Sequence, residues 1–138
     1  MIRDVFLPGV LMALTQLTVC SPQDQSAPVE LTAIPAEMHG RWGLVEADCE
    51  PGRDDAKGLM EVTGDTLTFY ESRGTLGPIL EGEEGRIAAR FAFEGEGMSW
   101  DRDITLTLGE EGKTLTRSEA DPEAGPVNLA YSRCETSA

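Results

Sequence analysis

The chain has 138 residues and a formal net charge of −14 at pH 7, with 40% hydrophobic and 26% charged residues. That length and apolar fraction suit one domain with a packed core. So acidic a surface argues against nucleic-acid binding, which needs Lys and Arg opposite phosphates, and against adsorption to anionic headgroups; it suits solubility after export, or capture of a basic partner.

An uncharged run from Val5 to Cys20 opens the chain. It is too short for a membrane span of about 20 apolar residues and has the length of a signal-peptide core. Pro8-Gly9 in its middle argues against a buried helix, and residues 1–20 read as a signal peptide, although Asp4 follows Arg3 at once. Leu17-Thr18-Val19-Cys20 resembles the lipobox of bacterial lipoproteins, imperfectly, since Val19 stands where that pattern takes a smaller residue. The resemblance implies lipid on Cys20, and Ser21 after it suits an outer-membrane lipoprotein on the periplasmic face of the envelope. Of the three cysteines, Cys49 and Cys134 then remain as a pair. A bond between them closes a loop of roughly 85 residues, worth about 4–5 kcal/mol in the chain-entropy account, and such bonds persist in the periplasm. No Cys/His spacing suggests a metal, and no cofactor is expected.

Residues 21–35, with three prolines, read as a flexible tether, residues 36–138 as the folded domain, and the residues after Cys134 as a short polar tail. Eight strand candidates follow: 41–46, 57–62, 66–71, 75–80, 86–94, 98–108, 113–119 and 127–133. Glycine-bearing turns separate them, among them Thr63-Gly64-Asp65, Glu81-Gly82-Glu83-Glu84-Gly85, Glu94-Gly95-Glu96-Gly97 and Gly109-Glu110-Glu111-Gly112. Alternation assigns the faces. Ile87, Ala89, Phe91 and Phe93 share one side, as do Met98, Trp100, Ile104, Leu106 and Leu108, with Ser99, Asp101, Asp103, Thr105 and Thr107 opposite. One buried and one wet face predict an all-β fold, an eight-stranded antiparallel up-and-down barrel, since closure removes sheet edges.

Gly40-Arg41-Trp42 resembles the Gly-x-Trp signature of the calycin superfamily, the lipocalin-like barrels. The resemblance implies that Trp42 plugs one barrel end and that Arg133, in Tyr131-Ser132-Arg133-Cys134, packs across it from the last strand. It covers the ends of the domain and not its middle. At roughly 100 residues the domain is shorter than a typical lipocalin and similar to small bacterial calycin-like barrels, including periplasmic metalloprotease inhibitors. The Ser-Gly-x-x-Tyr stretch of lysozyme inhibitors is not found, since Ser72-Arg73-Gly74-Thr75 differs from it.

Arg102, Arg117 and Arg133 fall on nominally inward faces of consecutive strands. Gathered at one barrel end, they would bind a carboxylate or phosphate bidentately. Alternatively, bulges turn them outward, or they pair with Glu46 and Asp103. Trp100 reads as core, Phe69 to Gly74 as a hairpin corner, and Asp101-x-Asp103 as a wet strand face. The lone histidine, His39, has no evident partner base, and no nucleophile elbow or phosphate loop appears. The sequence thus points to a monomeric, non-enzymatic envelope protein that binds a small amphipathic or acidic molecule in its barrel. The alternatives are an inhibitor of a basic envelope protease or lysozyme acting through acidic loops, or a structural envelope lipoprotein.

Overall fold

The computed structural model describes residues 30–135, together with Gly9. The signal peptide, the lipobox with Cys20 and most of the tether read from the sequence lie outside the described residues. Eight strands form one closed antiparallel barrel in sequence order: β1 (Gly40–Gly43), β2 (Leu59–Val62), β3 (Thr66–Thr68), β4 (Arg73–Glu83), β5 (Arg86–Gly95), β6 (Met98–Leu108), β7 (Thr114–Asp121) and β8 (Gly125–Arg133). This is the up-and-down, lipocalin-like architecture that the alternation and turns predict.

The strand lengths differ from the sequence pattern for local reasons. β1 stops at Gly43 because the chain turns into a 3-10 segment, Glu46–Cys49. There the buried Asp48 carboxylate accepts from the Val45 and Gly58 amides, which satisfies it and ties the loop together. β3 stops at Thr68, where the Phe69 amide bonds the Ser72 carbonyl and closes a turn. β4 runs past Gly77-Pro78 because its ladder with β5 slips there, with register shifts on either side of Ile79. Proline in a strand is tolerated at such irregularities, where its missing N–H is not needed. β7 and β8 run further towards their shared turn than expected, pairing as far as Asp121 with Gly125. The β5–β6 turn has both central residues left-handed, Glu96 at φ 50° and Gly97 at φ 78°, as a type I′ hairpin requires.

The core fills one end of the barrel. Trp42, Met60, Leu67, Ile87, Phe91, Ile104, Leu106 and Leu115 are all at most 1% exposed. A second 3-10 turn, Ala36–Met38, closes this end, with Met38 and Ile34 buried beneath the strands. Ile34 and Leu31, ahead of the expected boundary at residue 36, join this packing. Ile34 donates its amide to the Gly64 carbonyl at 2.8 Å, and its own carbonyl meets the His39 ring at 2.8 Å. Leu31 packs against the same core. The stretch preceding the first strand is thus a plug and not tether alone, because barrel closure leaves an apolar end to cover.

Closure depends on a short ladder. β1 meets β8 through only two register pairs, Trp42 with Arg133 and Gly43 with Ser132. The Cys49–Cys134 disulfide lies beside them, joining residues 85 apart in sequence. The Cys134 amide extends the contact to the Arg41 carbonyl at 2.9 Å.

Candidate functional site

The inward faces of β6 and β7 place charged groups inside the barrel. On β6 the inward series is Trp100, Arg102, Ile104 and Leu106; on β7 it is Leu115, Arg117, Glu119 and Asp121. Register sets Ile104 opposite Glu119 and Leu106 opposite Arg117. Apolar residues on these strands fill the closed half, and the charged ones face the other end, the mouth. A depression of about 330 Å³, open to solvent on one side, lies there, lined by Phe69, Ser72, Phe93, Trp100, Arg102, Arg117, Glu119 and Asp121.

Each mouth arginine meets a carboxylate. Arg102 Nη2 donates to Asp121 Oδ2 at 2.9 Å, and Arg117 Nη1 donates to Glu119 Oε1 at 2.9 Å. The Arg117–Glu119 pair is largely enclosed, with side chains 12% and 13% exposed. Arg117 also sits over the Phe69 ring, 4.9 Å from its centre, and its Nε donates to the Tyr131 hydroxyl at 3.3 Å. Aromatic faces and a carboxylate together compensate a guanidinium for the water it has lost.

Asp121 does two jobs at the end of β7. Its Oδ1 accepts from the amides of Glu123 and Ala124 at 2.7 and 2.9 Å, forming the turn into β8. Those two bonds, with the Arg102 guanidinium, hold its carboxyl below the ordinary aspartate range. Opposite lies an aromatic shelf. Phe93 and Trp100, register partners, stack with ring centres 5.6 Å apart and planes 11° from parallel. Phe69 tilts against Phe93 at 6.0 Å. Gly74 lets the shelf form: a Cβ there would lie 2.7 Å from the Phe93 ring.

The structure brings together two of the three arginines singled out by phase. Arg133 stands apart at the closed end. Its guanidinium lies 4.2 Å from the centre of the Trp42 ring, and it donates to the carbonyls of Gly112, His39 and Glu37 at 2.9, 2.9 and 2.6 Å. It is committed to the plug and does not line the mouth cavity. The alternative pairings do not form either: Asp103 bonds Arg90 on the outer face at 2.7 Å. Trp100, expected in the core, is only half-buried and walls the cavity, because β6 outruns the packed end of the barrel.

Sequence reasoning passed over Phe69, Phe93, Glu119 and Asp121 as cavity residues. The alternation Leu115, Arg117, Glu119, Asp121 carried the signal for the two acids, but a strand ended at residue 119 excludes the second. Phe69 shares the inward phase of Leu67, but its place at the mouth depends on the early stop of β3. Among the described residues, no group of three or more His, Cys, Asp or Glu side chains gathers as a metal site.

Compared with family models, curated proteins and solved structures, the chain matches none of them.

Proposed function

We propose that this chain is an exported, non-enzymatic barrel of calycin-like build, held at the periplasmic face of the envelope by lipid on Cys20, whose mouth binds a small amphipathic molecule with an acidic group. The observation that carries this reading is the mouth cavity itself, an aromatic shelf facing two guanidinium groups across about 330 Å³. That volume lies at the lower end of the range for small-molecule sites. Enclosed ion pairs are a poor way to stabilise a barrel, because apolar residues of the same size do as well or better. Their presence at the mouth, above a closed half filled with apolar side chains, favours a role in recognition. The Cys49–Cys134 bond supports export to an oxidising compartment.

Decanoate titrated into the full chain, with tryptophan fluorescence as readout, tests this. Trp42 is fully buried at the closed end, so the signal reports Trp100. The expected result is saturable binding that is lost in the double variant Arg117→Met, Glu119→Leu, with thermal unfolding unchanged or shifted upward. Binding unaffected by that variant would remove the mouth from consideration.

A second reading has one observation in its favour. The two turns beside the plugged end and the end of β4 that enters one of them carry Glu81, Glu83, Glu84, Glu110 and Glu111, only partly offset by Arg86 and Lys113, on a chain of net charge −14. Such turns suit a basic envelope enzyme that the protein inhibits. Pull-down of a cationic envelope protease or lysozyme that weakens steeply with added salt would favour it.

A further inference from the structure

We infer that the ligand of the barrel mouth is a zwitterion, with an anionic group at Arg117 and Arg102 and an alkylated cationic group against the Phe93–Trp100 shelf. The inference rests on the reading of the mouth as a small-ligand site and names the chemical class that site takes.

Charge balance is the first argument. The cavity lining holds two guanidinium groups and two carboxylates, so its net charge is zero. Each guanidinium retains a donor for a ligand. Arg117 uses Nε and Nη1 on Tyr131 and Glu119, and no described residue accepts from its Nη2. Arg102 uses Nη1 and Nη2 on the Asp101 carbonyl and Asp121, leaving Nε. No buried side-chain donor in the described residues lacks a partner, so these spare donors are accessible rather than buried, and both arginines line the cavity.

An anion docked on the spare edges also lies beside Glu119 and Asp121, and that repulsion cancels much of its gain. A positive group on the same molecule turns the repulsion into attraction. The shelf decides what kind of positive group. Phe93, Trp100 and Phe69 present ring surface on the same cavity as the carboxylates. Ring faces attract cations, and an alkylated ammonium, which has no strong N–H bonds to water to lose, gains most from them.

Calorimetric titration of the full chain with phosphocholine, choline, inorganic phosphate, hexanoate and dihexanoyl phosphatidylcholine below its micelle concentration tests this. The expected result is that phosphocholine binds at least about tenfold tighter than choline or phosphate. Asp121→Asn is expected to reduce that advantage to about threefold or less, with Glu119→Gln as a second variant should the first fail to fold. Tighter binding of the short-chain lipid than of phosphocholine would identify a lipid headgroup as the source, and equal binding a free zwitterion; both support the inference. Phosphate or hexanoate binding as tightly as phosphocholine overturns it and leaves the mouth as an anion site. No binding by any of the five probes overturns both.

Discussion

Trp42 and Arg133 face each other across the seam where the barrel closes, the guanidinium 4.2 Å from the centre of the indole ring. The pair is locked from below as well: the indole Nε1 donates to the Met38 carbonyl at 2.9 Å, and the guanidinium bonds the carbonyls of Glu37 and His39 on the same turn. One cation therefore fixes the first strand, the last strand and the plug. Arg133→Ala removes three charge-assisted bonds and uncovers the indole. We predict a loss of about 2–4 kcal/mol in urea unfolding, with Arg133→Lys recovering only part of it, because an ammonium lacks the planar fork.

The disulfide lies beside the same short seam. The chain-entropy account gives a loop of this length about 4–5 kcal/mol. The Cys49→Ser, Cys134→Ser double variant is expected to lose most of that in equilibrium unfolding, with the slope on denaturant increased, since the unfolded chain is no longer held compact by the cross-link. Unchanged stability would show that the two-pair ladder closes the barrel unaided.

Acid should weaken the fold in a defined window. Asp121, Asp103 and Asp55 are each held below the ordinary aspartate value of 3.8, Asp121 by turn amides and the other two by Arg90 and Arg53 respectively. A depressed folded-state pKa means the unfolded chain binds the proton more readily. Their contribution is therefore complete above the ordinary value and is lost as pH falls through the lower folded-state values. The urea midpoint is expected to hold from neutral pH to about 5 and to drop below about 4. Asp121→Asn, which keeps the turn-forming oxygen, should make the drop shallower.

The enclosed pair in the mouth permits a cycle. Glu119→Leu alone leaves Arg117 without its carboxylate and is expected to cost about 3–5 kcal/mol, whereas Arg117→Met with Glu119→Leu is expected to be neutral or stabilising. The double variant should also lose the ligand. A fold that needs the charged pair for its own stability would give the opposite sign.

Gly74 offers a test of the shelf. Any side chain there meets the Phe93 ring, so Gly74→Ala should displace the ring and cost about 1–3 kcal/mol. Trp100, stacked on Phe93, would change its emission, while Trp42 at the other end would not.

Much of this molecule is legible in its sequence, for a physical reason. Period-two alternation in residues 86–108 assigns inward and outward faces without reference to any partner, so Ile87, Phe91, Ile104 and Leu106 are identified as core. Gly40-Arg41-Trp42 and Arg133 locate the closed end through a family pattern. What alternation leaves out is height along the barrel. Arg117 and Arg133 are in the same phase of neighbouring strands, yet one lies at the mouth and the other at the plug, because each strand's offset depends on turn lengths and on how early β1 and β3 stop. The same offset moves Trp100 from core to cavity wall. The plug residues Ile34 and Met38 were hidden because a three-residue 3-10 turn has no periodicity to detect.

Amide chemical-shift mapping of the full chain during titration with an acidic amphiphile such as decanoate tests the proposed role of the mouth most directly. The account predicts that the changes cluster at Phe69, Ser72, Phe93, Trp100, Arg102, Arg117, Glu119 and Asp121, with Trp42 and Arg133 unmoved. Changes confined to the acidic turns beside the plugged end, or centred on Trp42 and Arg133, would contradict it.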